Sequence, residues 1–136
     1  MTSWNIFSQG GGAMIGKVVK TGEYGGDPFA VYAAGGNIVG FAHHQGSYYW
    51  DVVDDLFTYK GRVTDDYHID DADGNRIAYV IWGASEKRWK SHARIYLLDA
   101  EGRVTDDPIG HVNQVEWPVI TDIWIAAGAG ALLLLL

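Results

Sequence analysis

The segment Trp117-Pro-Val-Ile-Thr-Asp-Ile-Trp-Ile-Ala-Ala-Gly-Ala-Gly-Ala-Leu-Leu-Leu-Leu-Leu136 constrains this chain more than any other, because from Ile123 onward it has no polar side chain. Pro118 suits the first turn of a helix, and a helix apolar on every side must be covered on every side. From Trp117 it would run roughly 30 Å, close to the thickness of bilayer hydrocarbon. Ala126 and Gly130 have the small-xxx-small spacing that lets membrane helices approach each other closely. Against a simple span stand Asp122 inside the segment and the lack of flanking Lys or Arg. The leading expectation is a cover outside the β region: membrane lipid, or a larger protein complex that includes further copies of the chain. Trp117, Trp124, Ala126, Gly130, Leu132, Leu133, Leu134, Leu135 and Leu136 are then the membrane or assembly residues. A helix in the chain's own core, or a continuation beyond Leu136, are the other readings.

The remainder speaks of strands. Arg94 to Val112 reads as an apolar run, the turn Asp99-Ala-Glu-Gly102, and a second run ending in Ile109-Gly110-His-Val112. A glycine closing so short a loop takes up positive φ, where a Cβ is strained. The same grammar recurs at Asp71-Ala-Asp-Gly-Asn-Arg-Ile77 and, more loosely, at Val31 to Gly40. Gly61-Arg-Val-Thr-Asp-Asp66 recurs letter for letter at Gly102-Arg-Val-Thr-Asp-Asp107, which argues for duplication of a hairpin unit. Strands are predicted at Met14–Lys20, Phe29–Tyr32, Ile38–Ala42 and Arg76–Trp82, with a strand, turn and strand within Phe57–Val63.

The predicted fold is mainly β: repeated antiparallel hairpins forming a small barrel or flower-like sheet, plus one C-terminal hydrophobic α-helix. Residues 1–13 form an N-terminal segment with a glycine-rich joint, 14–115 the hairpin domain, and 116–136 the helix. Met1 to Ala13 lacks the basic start and apolar stretch of a secretory signal, so the β domain is expected in the cytoplasm beside a membrane. No cysteine means no disulfide, thiolate or cysteine-ligated metal, and a net charge of -7 disfavours a nucleic-acid partner.

Two clusters invite chemistry. Lys87, Arg88 and Lys90 surround Trp89 in a basic stretch, the composition that an anionic surface attracts. His43, His44 and His68 lie in sequence near the aspartates from Asp65 to Asp73, which would suit a metal-dependent enzyme. Neighbouring strand histidines point to opposite faces, however, and Asp71-Ala-Asp-Gly-Asn75 places its glycine two residues too early for a calcium loop. No catalytic, cofactor-binding or metal-binding residue is assigned.

The Asp-x-x-Gly turn followed by Ile/Val-Gly, in Asp99-Ala-Glu-Gly-Arg-Val104 with Ile109-Gly110 and in Asp71-Ala-Asp-Gly-Asn-Arg-Ile77, resembles the bacterial hairpin-repeat domains called the four-fold β-flower, and secondarily the PRC-barrel. Either resemblance covers about Met14 to Val115 and implies a binding or assembly role with no catalytic residues to carry over. The expected function is a non-enzymatic accessory or scaffold subunit attached through its hydrophobic helix. The alternatives are an anionic-surface module using the Trp89 loop and, behind it, a His/Asp metal enzyme.

Overall fold

The computed structural model describes residues 2–9, 12–22, 26–45, 49–85, 90–114 and 122–136, with the side chains of 84–85 and 90–91 outside the description. Ten antiparallel strands close into one barrel: β1 Ser3–Ser8, β2 Met14–Lys20, β3 Phe29–Ala33, β4 Ile38–Gln45, β5 Tyr49–Asp54, β6 Tyr59–Thr64, β7 His68–Asp71, β8 Arg76–Ser85, β9 Lys90–Leu98 and β10 Val104–Gln114. Consecutive strands pair with each other, and β1 closes the ring on β10.

Five hairpins repeat one design. In each, an inward β-branched residue of the odd strand faces an inward small residue of the even strand: Ile6↔Gly16, Val31↔Gly40, Val52↔Gly61, Ile69↔Ala78 and Ile95↔Gly110. Immediately before each small residue the register shifts by one, so Ile15, Val39, Lys60, Ile77 and Ile109 are extra residues in their strands. Such bulges bend a strand and increase its twist, and their recurrence in every hairpin curls the sheet until its edges meet. Two residues past each small position comes a buried Val18, Ala42, Val63, Val80 or Val112. The repeating unit is thus a bulge, a small residue, an outward residue and Val or Ala.

Ten strands at ordinary spacing and tilt enclose a ring roughly 20 Å across, wide enough for one slim helix. The chain supplies it. Helix α1 Ile123–Gly130 and the π-helical turn Ala131–Leu135 run inside the wall, with Ile123, Ala126, Ala127, Ala129 and Ala131 wholly buried. Helix and wall are complementary in size along the axis. A Cβ on Gly128 would collide with Val63, and one on Gly130 would lie 2.5 Å from Ile6 Cδ1, so the helix is thin where the wall is thick. At the other end the wall thins and the helix thickens: Leu132 lies over Gly61, Leu133 over Gly40, Leu134 over Gly16 and Leu135 over Gly110.

Asp122 precedes the helix, and its carboxylate takes the Lys20 ammonium at 3.0 Å, with side-chain exposures of 7% for Lys20 and 21% for Asp122. Lys20 also stands 5.9 Å from the centre of the Phe29 ring. That ring belongs to the aromatic cluster Trp4–Phe29–Trp50, whose centroids are 5.6 and 5.0 Å apart. A charge pair so far from water is maintained only when both partners are present.

Three sequence expectations change. The cover expected from outside the β region comes from the wall of the same chain, whose closed ring has a lumen that this helix fills. Residues 1–13, set apart from the hairpin domain as an N-terminal segment, contribute β1 to the barrel, and its Trp4 and Ile6 are fully buried. Tyr59–Thr64 is one strand, and Lys60-Gly61 is a bulge within it where a turn was expected.

Candidate functional site

The nine residues assigned to membrane or assembly contact sit as follows. Trp117 lies outside the described residues. Trp124 is half-buried, its ring 5.8 Å from Tyr67, and Tyr67 in turn meets Trp82 edge-on at 5.8 Å. Ala126 and Gly130 are buried inside the barrel, where Gly130 faces Ile6 and Val18 of the wall. Leu132 is buried, Leu133, Leu134 and Leu135 are half-buried, and Leu136 is exposed at the mouth. Among the described residues no helix is long and apolar enough to cross a membrane. In the basic cluster, Lys87, Arg88 and Trp89 lie outside the described residues, and of Lys90 only the backbone, which opens β9, is described.

The histidines separate as strand alternation requires. His43 pairs with Asp51 on the outer face of the wall, whereas the neighbouring His44 pairs with Trp50 and lies 4.9 Å from that ring. From His43 a row of charge crosses the outer wall through Asp51, Arg62, Asp70 and Arg76, each opposite the next. Arg62 stands 3.8 Å from Asp51, bonds the Tyr59 hydroxyl at 3.2 Å and lies over the Tyr49 ring at 4.2 Å. Burial pushes the Asp70 carboxyl up against the attraction of Arg76 and Arg62, and its Oδ1 is buried without a hydrogen-bond partner.

Of the predicted His/Asp set, the fold brings together His68 and Asp66, joined by Arg76. Arg76 Nη1 donates to Asp66 Oδ2 at 2.9 Å and lies 2.8 Å from His68 Nδ1. Partial burial would raise the Asp66 carboxyl, but hydrogen bonds from Thr64, Arg76 and His68 outweigh it and hold it at about 2. A carboxylate held so firmly charged makes a poor proton donor near neutrality. Among the described residues no three His, Asp or Glu side chains converge as metal ligands.

Asp71, considered for calcium, is engaged otherwise. Its Oδ1 accepts the backbone N–H of Asp73 and Asn75, and Asp54 and Asp99 cap their own hairpins in the same way. The Asn75 amide holds the Asp71 carboxyl below the usual range, and the Thr58 amide does so for Asp54.

These capped tips expose an anomaly. Five hairpins share one turn, in which the fourth residue's N–H bonds to the first residue's carbonyl: Gly36 to Ala33, Phe57 to Asp54, Tyr67 to Thr64, Gly74 to Asp71 and Gly102 to Asp99. The fourth residue is left-handed in all five, with φ of +95°, +62°, +67°, +86° and +80°. Three are glycine and two are aromatic: Tyr67 is half-buried and packs its ring against Trp82 and Trp124, whereas Phe57 points into solvent. A left-handed L-residue costs about 1–2 kcal/mol, yet this phenylalanine gains little burial, being 70% exposed beside Leu56 at 80%. It stacks on Phe41 at 5.9 Å with the rings 5° from parallel, and Ile38 on the same strand as Phe41 is exposed as well. The sequence reading missed this tip. The available signal was Asp54-Asp-Leu-Phe57 standing where the turns at Asp71 and Asp99 read Asp-x-x-Gly.

Among the concave features of the described residues is a groove on the outer face of β9 and β10, lined by Gln9, His92, Arg94, Pro108, His111 and Asn113.

No protein-family model matches this chain, and comparison with curated proteins and with solved structures finds no match either.

Proposed function

We propose that this chain is a non-enzymatic accessory module that docks a protein partner through the Leu56–Phe57 hairpin tip, with the helix serving as its core. The observation that carries this reading is Phe57, an exposed aromatic residue in a backbone conformation that three sister turns give to glycine and a fourth gives to Tyr67, whose ring is packed against Trp82 and Trp124. Strain of that kind persists where the side chain itself is needed, and an exposed aromatic beside an exposed leucine suits the anchor of an interface. Asp54 and Asp55 border the tip, and the chain as a whole carries -7. The partner that fits is a protein surface with an apolar pocket rimmed by Lys or Arg, since a second copy of this chain and an anionic membrane would both meet repulsion. The turn grammar's likeness to hairpin-repeat domains points the same way.

The test is selection from a random peptide display library on the wild-type protein, with a Leu56→Ser/Phe57→Gly variant as counter-target. Peptides combining aromatic or aliphatic residues with Lys or Arg, and lost on the variant, support the reading. Peptides that bind both proteins equally overturn it. So does a dimer seen in sedimentation that the variant abolishes, or flotation with phosphatidylcholine vesicles that the variant abolishes.

A further inference from the structure

We infer that the outer face of β9 and β10 carries a binding site for a small oxyanion of the phosphate or carboxylate class, held by Arg94 together with His92, His111 and the carboxamides of Gln9 and Asn113. The register builds the cluster. Arg94 lies opposite His111 and His92 opposite Asn113, so two adjacent outward rungs place four nitrogen-bearing side chains side by side. Gln9, just beyond the end of β1, is tied to β10 by its backbone N–H bond to the Ile109 carbonyl at 3.1 Å. These residues line a groove of about 360 Å³ whose lining contains no carboxylate. That volume lies at the small end of ligand sites, enough for an oxyanion on a compact organic stem.

Arg94 differs from the other described arginines. Arg62, Arg76 and Arg103 each stand within 4 Å of an aspartate or glutamate, whereas Arg94 has no ion pair among the described residues. In a chain with 17 acidic and 10 basic side chains, a guanidinium with no carboxylate within 4 Å among the described residues marks a place where charge of the opposite sign can be received. Its planar fork presents paired N–H donors to two oxygens of one anion. An imidazole contributes one N–H when neutral and two when protonated, and each carboxamide adds an NH2.

The histidines are also held in place. Phe7 stacks on His111 at 4.9 Å with the rings 8° from parallel, which fixes the plane of that imidazole. His92 lies beside Gly83, where a Cβ would come within 3.7 Å of its ring. Donors aligned before the ligand arrives bind it with less loss of freedom.

The experiment is an NMR titration of the full chain with inorganic phosphate and, separately, with succinate, at ionic strength held constant with chloride. Wild type, Arg94→Gln, His111→Gln and the Leu56→Ser/Phe57→Gly tip variant are compared. The expected result is saturable shifts confined to Gln9, His92, Arg94, His111 and Asn113, with affinity at least tenfold weaker in Arg94→Gln and unchanged in the tip variant. Saturation by only one of the two anions assigns the class of ligand. Resonances elsewhere in the spectrum report that the variants remain folded, and Arg94→Lys, which keeps the charge and loses the fork, restores part of the affinity. Shifts that are absent, linear with concentration, or the same in Arg94→Gln overturn the inference.

Discussion

Gly128→Ala tests whether the helix occupies the barrel. On a solvated helix this change stabilises by up to about 1 kcal/mol, because glycine is the poorer helix former by that amount. Here a Cβ at 128 would fall within 3.0 Å of three Val63 carbons, and no wall backbone is among its nearest neighbours. Overpacking of that kind costs about 1–3 kcal/mol and exceeds the gain in propensity. Val63→Ala alone removes two buried carbons, about 1.6 kcal/mol of transfer energy, and with its cavity destabilises by about 2–3 kcal/mol. In the double variant the new methyl enters the space that Val63 vacated, so the pair should be less destabilised than the sum of the single changes by about 1–3 kcal/mol. Urea unfolding at constant m-value reads all four proteins. A stabilising Gly128→Ala, or strict additivity, refutes the packing of α1 against β6.

Other expectations follow from neighbouring features. Phe57→Gly should be as stable as wild type or more so by up to about 1 kcal/mol, whereas Phe57→Ala keeps the left-handed strain, loses the stacking on Phe41 and should melt lower than either. Lys20→Met leaves the Asp122 carboxylate poorly solvated and should cost about 2–3 kcal/mol in chemical denaturation, most of it recovered in Lys20→Met/Asp122→Asn. For Asp66 the folded carboxyl titrates below its unfolded value of 3.8, so its contribution is complete above that pH and is lost as pH falls from there through about 2. Asp66→Asn should therefore flatten the acid limb of the stability profile, by no more than about 1 kcal/mol given the exposure of the site. NMR titration should place Asp66 well below Asp70, whose carboxyl is shifted the opposite way.

Much of the fold is legible locally. The Asp71 and Asp99 turns declare themselves because a capping aspartate and a closing glycine lie within four residues of each other, and β2 spans the predicted Met14–Lys20. The literal hexapeptide repeat is misleading. Gly102 closes a turn while Gly61 is an inward wall position, so the two copies are out of phase in the barrel. The true unit, Ile15-Gly-Lys-Val18, Val39-Gly-Phe-Ala42, Lys60-Gly-Arg-Val63, Ile77-Ala-Tyr-Val80 and Ile109-Gly-His-Val112, varies at its bulge and outward residues and keeps only what faces inward. The seat of the helix is illegible for a related reason. The glycines that receive the four leucines lie on four strands far apart in the chain, and no local period links them. The His92–Arg94–His111 groove likewise joins two strands through register, which spacing alone does not disclose.

The helix packed within the wall also sets an order of assembly. Trp4 must wait for Gln114 before β1 has its second neighbour, and the leucines that fit the glycine notches are made later still. Until they arrive, a closed ring would enclose only water against greasy walls, so hairpins and plug should condense together in one late step. Contacts this distant in the chain make such a step slow, and a ribosome-bound chain lacking residues 122–136 should remain sensitive to protease along its whole length.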